Sequence, residues 1–468
     1  MISHEDIKNL VSEWGLREDI IEKDYVIGWI LWGIGSDPDV GPKWAFKGGT
    51  RIKKCFIETY RFSEDLDFTV LPDGPIELKD ISTILDRILK RVAEASGIDF
   101  SLALPKLKQR ESPLSVEARI YYRGPRNAST PASIKFDINA LEKIVYPPVL
   151  RKIAHPYPDI LPNPDKVRCY AFEEVFAEKI RAMGERGRPR DLYDIINLFR
   201  RRDLQFQPKF IKSVLIEKCK TKGVSMPTFI SIKNSPYHDE LESEWKNMLG
   251  HQLQVLPLFE QFWEELPQLF DWLEEVYVPE ILPPIPTQKE EDATWVPPST
   301  IYNWEARIPI ESIRFAAANH LCIELEYMKK GYDINHYLIE PYSLRRTKEN
   351  HLILHAIKTE TQEHRTFRVN WIQNVKISTK SFTPKYQIEF SPIGPIEVLP
   401  THRSKSKNFL SELKKGKTNF GPTYTFECLY CGRKFKRTKY NEKLNPHKDK
   451  SGGNCPGKIG YLVETYYN

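Results

Sequence analysis

Cysteine is scarce in this chain and badly placed for a disulfide framework. Of seven cysteines in 468 residues, Cys55, Cys169, Cys219 and Cys322 stand alone, and only Cys428, Cys431 and Cys455 cluster. That usage excludes a small disulfide-stapled secreted scaffold and suits a reducing cytoplasm. Long apolar runs are missing too. The longest, Tyr25–Ile34 (YVIGWILWGI), is about half of the ~20 residues that a bilayer crossing needs, so no membrane partner is expected. It reads as a buried core helix. The first 24 residues read as an amphipathic, partly acidic helix, not a secretory signal. No internal repeat of fixed period is present.

Neither sign of charge dominates overall: 69 Lys+Arg face 63 Asp+Glu, for a net charge of +6. The distribution is uneven. Residues 401–468 hold 15 Lys+Arg against 5 Asp+Glu, or +10, which leaves −4 for residues 1–400. A basic tail of this kind is either a nucleic-acid contact or a solvated extension. Composition also suggests boundaries. Residues 1–278 carry helical periodicity mixed with strands, and 279–308 is a proline-rich, charged linker around LPPIPTQKEED. Residues 309–400 carry short β-type segments, 401–423 is a basic linker containing Arg403–Lys417, and 424–468 holds the clustered cysteines. At this length, two to four domains are expected.

Chemistry concentrates in the first region. Lys47-Gly48-Gly49-Thr50 precedes Arg61-Phe62-Ser63-Glu64-Asp65-Leu66-Asp67-Phe68. On a strand Asp65 and Asp67 share one face, with Leu66 and Phe68 on the other. Two adjacent carboxylates repel unless a cation lies between them, and hard oxygen ligands suit Mg²⁺ or Mn²⁺. The glycines and threonine offer backbone N–H groups and a hydroxyl for a phosphate chain. A third carboxylate stands in Ser133–Asn139, where Ile134, Phe136 and Ile138 alternate with Lys135, Asp137 and Asn139. Helical periodicity over Phe172–Met183 places Phe172, Val175, Phe176, Ile180 and Met183 in one apolar stripe. Lys179 falls inside that stripe, and Glu173, Glu174, Glu178 and Arg181 fall outside. A lysine there either snorkels or reaches an anion. Next come Arg186, Arg188 and Arg190 around a Gly–Pro break, then Asp191 at a helix start with Asp194 further out. The arginines suit phosphate or RNA backbone, while capping alone equally explains Asp191.

The order KGGT, RFSEDLDF, a strand aspartate, then EEVFAEKIRAMGERGRPRDLYD resembles the AbiEii/AbiGii nucleotidyltransferase toxins of the DNA-polymerase-β-like superfamily. IIEKDYVIGWIL before the glycine motif extends the likeness, which covers residues 1–278. The resemblance implies a mixed sheet with helices, two Mg²⁺ ions, and transfer of a nucleoside monophosphate from an NTP to an acceptor. By position, Gly48, Gly49, Thr50, Ser63 and Lys179 would bind the triphosphate. Asp65, Asp67 and Asp137 would bind metal, and Lys179 and Asp191 match the family's later Lys and Asp motifs. RNA, with tRNA as the family's suggestion, would be the acceptor, an antitoxin a partner, and toxin–antitoxin or phage defence the setting. Arg51-Ile52 departs from the small residue and Leu usual there.

In the second region, short alternating strands separated by KKGYD, TKEN and TQEH suggest a small antiparallel barrel. It is similar to a WYL-type domain, an SH3-like barrel, through Tyr327, a Glu340-Pro341-Tyr342 turn and Arg365-Thr366-Phe367-Arg368; His351-Leu352-Ile353-Leu354 replaces the naming triplet. The resemblance implies a nucleotide, DNA or RNA contact at Arg365 and Arg368. At the C-terminus, Cys428-x-x-Cys431, His447 and Cys455 supply four ligands for structural Zn²⁺. Arg433, Lys434, Lys436, Arg437 and Lys439 line the loop between them. A redox dithiol is the other reading of those cysteines. The expected fold is therefore α+β and multidomain: a nucleotidyltransferase mixed sheet with helices, a small SH3-like β-barrel and a zinc ribbon. Two functions stay open, a transferase toxin or a ligand-sensing nucleic-acid-binding regulator whose transferase fold is idle.

Overall fold

The computed structural model describes residues 1–57, 60–201, 206–292, 295, 310–328, 333–390, 422–428, 430–437, 441–449 and 451–467. The basic stretch 403–417, most of the linker from 293, Lys439 and most of the KKGYD turn signal lie outside them. The first 24 residues do not form one helix. Helix α1 (His4–Trp14) is capped by Ser3 and ends on Gly15 in the left-handed region at φ 65°, and α2 (Glu18–Gly35) starts anew. Glycine stops α1 because it takes that backbone without a Cβ clash. The apolar run Tyr25–Ile34 lies inside α2 and is buried throughout.

Seven strands form the first sheet: β1 (Trp44–Lys47), β2 (Asp65–Val70), β3 (Lys106–Gln109), β4 (Ser115–Tyr122), β5 (Ala132–Asn139), β6 (Val149–Lys152) and β7 (Lys166–Cys169). Their order is β3-β4-β5-β2-β1-β7-β6. The sheet is mixed, because β2 runs parallel to β5 and β1 parallel to β7, while the other pairs are antiparallel. The alternation in β2 and β5 sends Leu66, Phe68, Ile134, Phe136 and Ile138 into the core. Phe68 contacts Trp44, Phe46 and Phe136 there. Helix α2 packs on the sheet and on α4 (Leu78–Ser96). Helix α3 (Gly48–Cys55) follows β1, and α5 (Phe172–Arg186), α6 (Pro189–Arg200) and α7 (Pro208–Lys222) pack together.

Helix α5 departs from its expected one-sided pattern. Glu173, Glu174 and Arg181 are buried along with the apolar stripe. The reason is α7, which covers the helix and supplies Lys218 at 2.6 Å from Glu174. Glu174 also accepts from the amides of Val145 and Tyr146.

The second unit starts with a helix, Ile310–Ala318, where only strands were expected. Strands β8 (Leu321–Met328), β9 (Ile334–Arg346), β10 (Leu352–Lys358), β11 (His364–Arg368) and β12 (Ile372–Ser381) build a five-stranded antiparallel sheet in the order β11-β10-β9-β8-β12. Glu340, Pro341 and Tyr342 lie within β9 and do not form a turn; a register shift opposite His355/Ala356 accommodates the proline. Part of the proline-rich 279–308 stretch is seated on this sheet. Ile285 joins its core with Tyr342 and Phe382, and Glu291 reaches Arg345 at 3.0 Å. The two units share one apolar core through Ile310, Ile313, Phe315 and Ala316.

The C-terminal strands β13 (Pro422–Cys428), β14 (Lys434–Arg437) and β15 (Gly460–Tyr467) form a three-stranded sheet, with β15 lying beside edge strand β6. Lys43 and Glu442 pair across this junction at 3.3 Å. Among the described residues no helix is long and apolar enough to cross a membrane.

Gly35 lets the end of α2 touch β7: a Cβ there would lie 2.0 Å from the Lys166 carbonyl oxygen. Gly35→Ala is expected to lower stability by ~2 kcal/mol or more, read as an earlier thermal transition in circular dichroism.

Candidate active site

Strand β2 brings its two aspartates into a charged row that crosses the sheet. Asp67 sits opposite Lys47 on β1 and opposite Asp137 on β5, and Glu117 on β4 continues the row beyond Asp137. Residues directly opposite share a face, so these four side chains stand together. Asp65 precedes them at the exposed end of β2. Burial, reinforced by the Asp137 and Asp65 carboxylates, pushes Asp67 up to about 6, although Lys47 works against the shift. Crowded carboxylates of this kind fit a hard divalent cation. Asp137 is engaged with Arg110 at 2.8 Å, and Arg110 also holds Glu117 at 3.1 Å. Lys47 reaches Glu142 at 2.6 Å.

The Gly-Gly-Thr segment is the first turn of α3, not an open loop. Gly48 has φ 75°, and a Cβ there would lie 2.1 Å from Asp67 Oδ2. Glycine is needed for both reasons. At Gly49 a Cβ would lie 2.5 Å from Arg61 Nη2 and 3.5 Å from Ser63 Oγ. The Thr50 hydroxyl donates to the Asp65 carbonyl at 2.6 Å, so it pins α3 to β2 and does not point at a ligand. No side chain caps α3. With Gly48 against Asp67 Oδ2, the uncapped start of α3 stands beside the carboxylate row, and uncapped helix N-termini are places where phosphate binds. Arg51, at the departure from the usual pattern, is buried, donates to the Tyr170 carbonyl and lies over Phe56.

Lys179 does not snorkel. Its ammonium lies 2.7 Å from Asp194 and 3.2 Å from Asp191. Burial works against its charge, but the two carboxylates outweigh burial and raise Lys179 above its ordinary value. Asp191 makes no cap; it accepts two bonds from Arg186, at 2.8 and 3.1 Å. Asp194 was expected further out, yet it is fully buried. Arg61 grips it through Nε at 2.6 Å and Nη2 at 2.8 Å, and Tyr60 donates at 2.7 Å. Burial opposes ionisation of Asp194, and Arg61 and Lys179 overcome it to hold the group well below the usual range. Sequence reasoning missed Lys47, Arg61, Arg110 and Asp194. Lys47 and Arg61 had a signal as the first residues of KGGT and RFSEDLDF, and Asp194 as the last of RPRDLYD; Arg110 had none. Arg188 is exposed beside this network, and Arg190 is half-buried with its Nε toward the Met248 carbonyl.

Beyond this site, Arg365 lies over Tyr337 and Phe367, and Arg368 over Trp371. The ligand atoms of Cys428, Cys431, His447 and Cys455 all lie within 4.8 Å of one another, the one group of three or more such ligands that close among the described residues. His447 Nδ1 bonds the Asn445 carbonyl at 2.9 Å, while Nε2 is buried without a partner. That fixes Nε2 as the free lone pair, as a metal-bound imidazole requires. The donor set fits tetrahedral zinc with no open position.

The sheet, its carboxylate row and the helix N-terminus beside it define a nucleotidyltransferase. Residues 29–272 match the family described as nucleotidyl transferase AbiEii toxin, Type IV TA system, and the chain belongs to that family. Residues 310–377 match the WYL domain. No curated protein matches the chain. Among solved structures, the chain is similar to MenT4, a nucleotidyltransferase toxin from Mycobacterium tuberculosis H37Rv, at 18% identity and a TM-score of 0.38, over 55% of this chain and 85% of that one. It is also similar to proteasome accessory factor B/C of Arthrobacter aurescens, at 13% identity and a TM-score of 0.15, over 62% and 41% of the two chains.

Two outcomes are expected. Protein purified without chelator should carry one zinc per chain by elemental analysis, and Cys428→Ser with Cys455→Ser should lose it. Asp67 destabilises the metal-free protein above about pH 6, because its raised native value favours the proton that the unfolded chain has already released. Asp67→Asn should therefore stabilise metal-free protein at alkaline pH, by up to about 3 kcal/mol, and have no such effect below about pH 4. Urea titrations at the two pH values give the comparison.

Proposed function

We propose that the enzyme transfers a nucleoside monophosphate from an NTP to a hydroxyl of an RNA acceptor, with tRNA as the first candidate. The observation that carries this reading is the approach of Gly48 to Asp67, which sets the free amides of α3 against the carboxylate row. A triphosphate bound at α3 would meet Ser63 and the backbone of Gly48 and Gly49. Lys179, held over the site by Asp191 and Asp194, would counter its charge. Asp65, Asp67 and Asp137 would hold Mg²⁺ or Mn²⁺, which supplies charge neutralisation and activates the acceptor hydroxyl. In the transfer, the acceptor oxygen bonds the α-phosphorus as the bond to pyrophosphate breaks. Arg110 must release Asp137 for that carboxylate to serve as a ligand, and Glu117 on the same guanidinium gives Arg110 somewhere to stay.

Support for RNA comes from the exposed Arg188 and from Arg365 and Arg368, whose cations lie over aromatic rings on the WYL sheet. Basic residues 433–437 on the zinc ribbon add phosphate-binding capacity. A separately encoded antitoxin and a role in phage defence complete the proposal, in line with the family. Were the transferase fold idle and the protein a regulator, no label would move.

Incubation with each labelled NTP, Mg²⁺ and total RNA is expected to place label in tRNA. Asp65→Asn with Asp67→Asn should cut incorporation by ~10³-fold, the scale of losing the main charge stabilisation, with the circular dichroism spectrum intact. Undiminished incorporation by that double variant would sink the assignment.

A further inference from the structure

The ion network under Lys179 does not end within the nucleotidyltransferase unit. Asp194 is held by Tyr60 as well as by Arg61. The Tyr60 ring packs against Tyr193, the residue before Asp194 on α6, with centroids 5.7 Å apart. The Tyr193 hydroxyl donates to Asn319 Oδ1 at 2.8 Å, in a fully buried bond. Asn319 belongs to the WYL unit, where it follows the helix Ile310–Ala318. It has little freedom: Nδ2 donates to the Phe315 carbonyl at 2.9 Å, and its own carbonyl accepts from Gln261 at 2.8 Å. The amide orientation is therefore fixed, with Oδ1 toward Tyr193. Tyr193 is equally confined, stacked on Phe262 at 5.2 Å on its other side.

Ser312 makes a second strap from the same helix. Its hydroxyl contacts Gln254 Oε1 at 2.9 Å and the Glu13 carbonyl at 3.0 Å. Gln254 lies two residues from Gln252, which accepts from Arg61 Nη1 at 2.9 Å and whose carbonyl accepts from the Phe62 amide. Both straps converge on Arg61 and Asp194. Arg61 in turn closes on Gly49 at the phosphate-binding end of α3.

We propose that Asn319 is a positioning residue supplied by the WYL unit, acting through Tyr193, Tyr60 and Asp194 to set Lys179 and Arg61 for the triphosphate. The inference rests on the triphosphate role given to Lys179 above. A buried bond between neutral groups is enough for this, because Tyr193 precedes Asp194 on one helical turn, and a shift of one moves the other. The WYL sheet then acts as part of the frame of the active site. Anything that displaces its first helix is felt at the bound nucleotide.

Tyr193→Phe in the full chain keeps the ring packed and removes only the hydroxyl. Its KM for NTP is expected to rise about fivefold, the size of one neutral hydrogen bond, with kcat within about twofold. Asn319→Ala should give a similar rise, and the double variant no more than either single change, because both break the same link. A merely structural role would lower the thermal midpoint and leave KM unmoved well below the transition. Unmoved KM in Tyr193→Phe, or strictly additive rises in the double variant, overturns the proposal. Lys179→Ala separates the two claims. If it leaves incorporation unimpaired, the triphosphate reading fails and takes the proposal with it. If it impairs incorporation while Tyr193→Phe does nothing, only the link from the WYL unit fails.

Discussion

One buried carboxylate, Asp194, pairs with two cations that come from distant parts of the chain. Arg61 arrives from the segment leading into β2 and Lys179 from the middle of α5. Neither cation could stay inside the protein alone, since an unpaired buried charge costs several kcal/mol. This triangle joins three parts of the candidate site. Arg61 lies close enough to leave no room for a Cβ at Gly49, in the first turn of α3. Lys179 pairs with Asp194 and Asp191, and each of these is shared with an arginine, Arg61 or Arg186. Ion pairs of this kind add little to stability, but these tie α5 and α6 to the segment that leads into the strand of Asp65 and Asp67.

The carboxylate row has the opposite character. Asp67 and Asp137 are side by side because two strands run parallel in that register, and Arg110 engages Asp137 alone of the two. Lys47 flanks Asp67 from the other side but is drawn off by Glu142. The site thus keeps an electrostatic deficit that a divalent ion removes, next to amides that attract anions. Three carboxylates in one row, Asp67, Asp137 and Glu117, are more than a sheet needs for its own stability.

Features with a short period were readable in the sequence. The alternation of Asp65, Leu66, Asp67 and Phe68, and that of Ile134 to Ile138, follows from strand geometry alone. The four zinc-type ligands were readable because few chains space cysteine and histidine that way. What could not be read depends on partners far away in sequence. Glu174 looked solvent-facing because Lys218 and the amides of Val145 and Tyr146 are invisible from within α5. Asp194 looked peripheral because its partner Arg61 lies 133 residues earlier. Pro341 suggested a turn, but a bulge in the ladder absorbs it. The nucleotidyltransferase sheet, the WYL match and the Cys/His cluster agree with expectation at the level of fold, whereas the strap from Asn319 to Tyr193 had no sequence signal at all.

The C-terminal three-stranded sheet stands at one edge of the seven-stranded sheet. Strand β6 ends the seven-stranded sheet and would offer a row of unpaired backbone groups to any passing chain. The ribbon's β15 lies along it, and Lys43 and Glu442 fasten the junction. A ribbon of this size keeps its shape only while its four ligands are drawn together. Whatever loosens that cluster therefore reaches the edge of the seven-stranded sheet through β15.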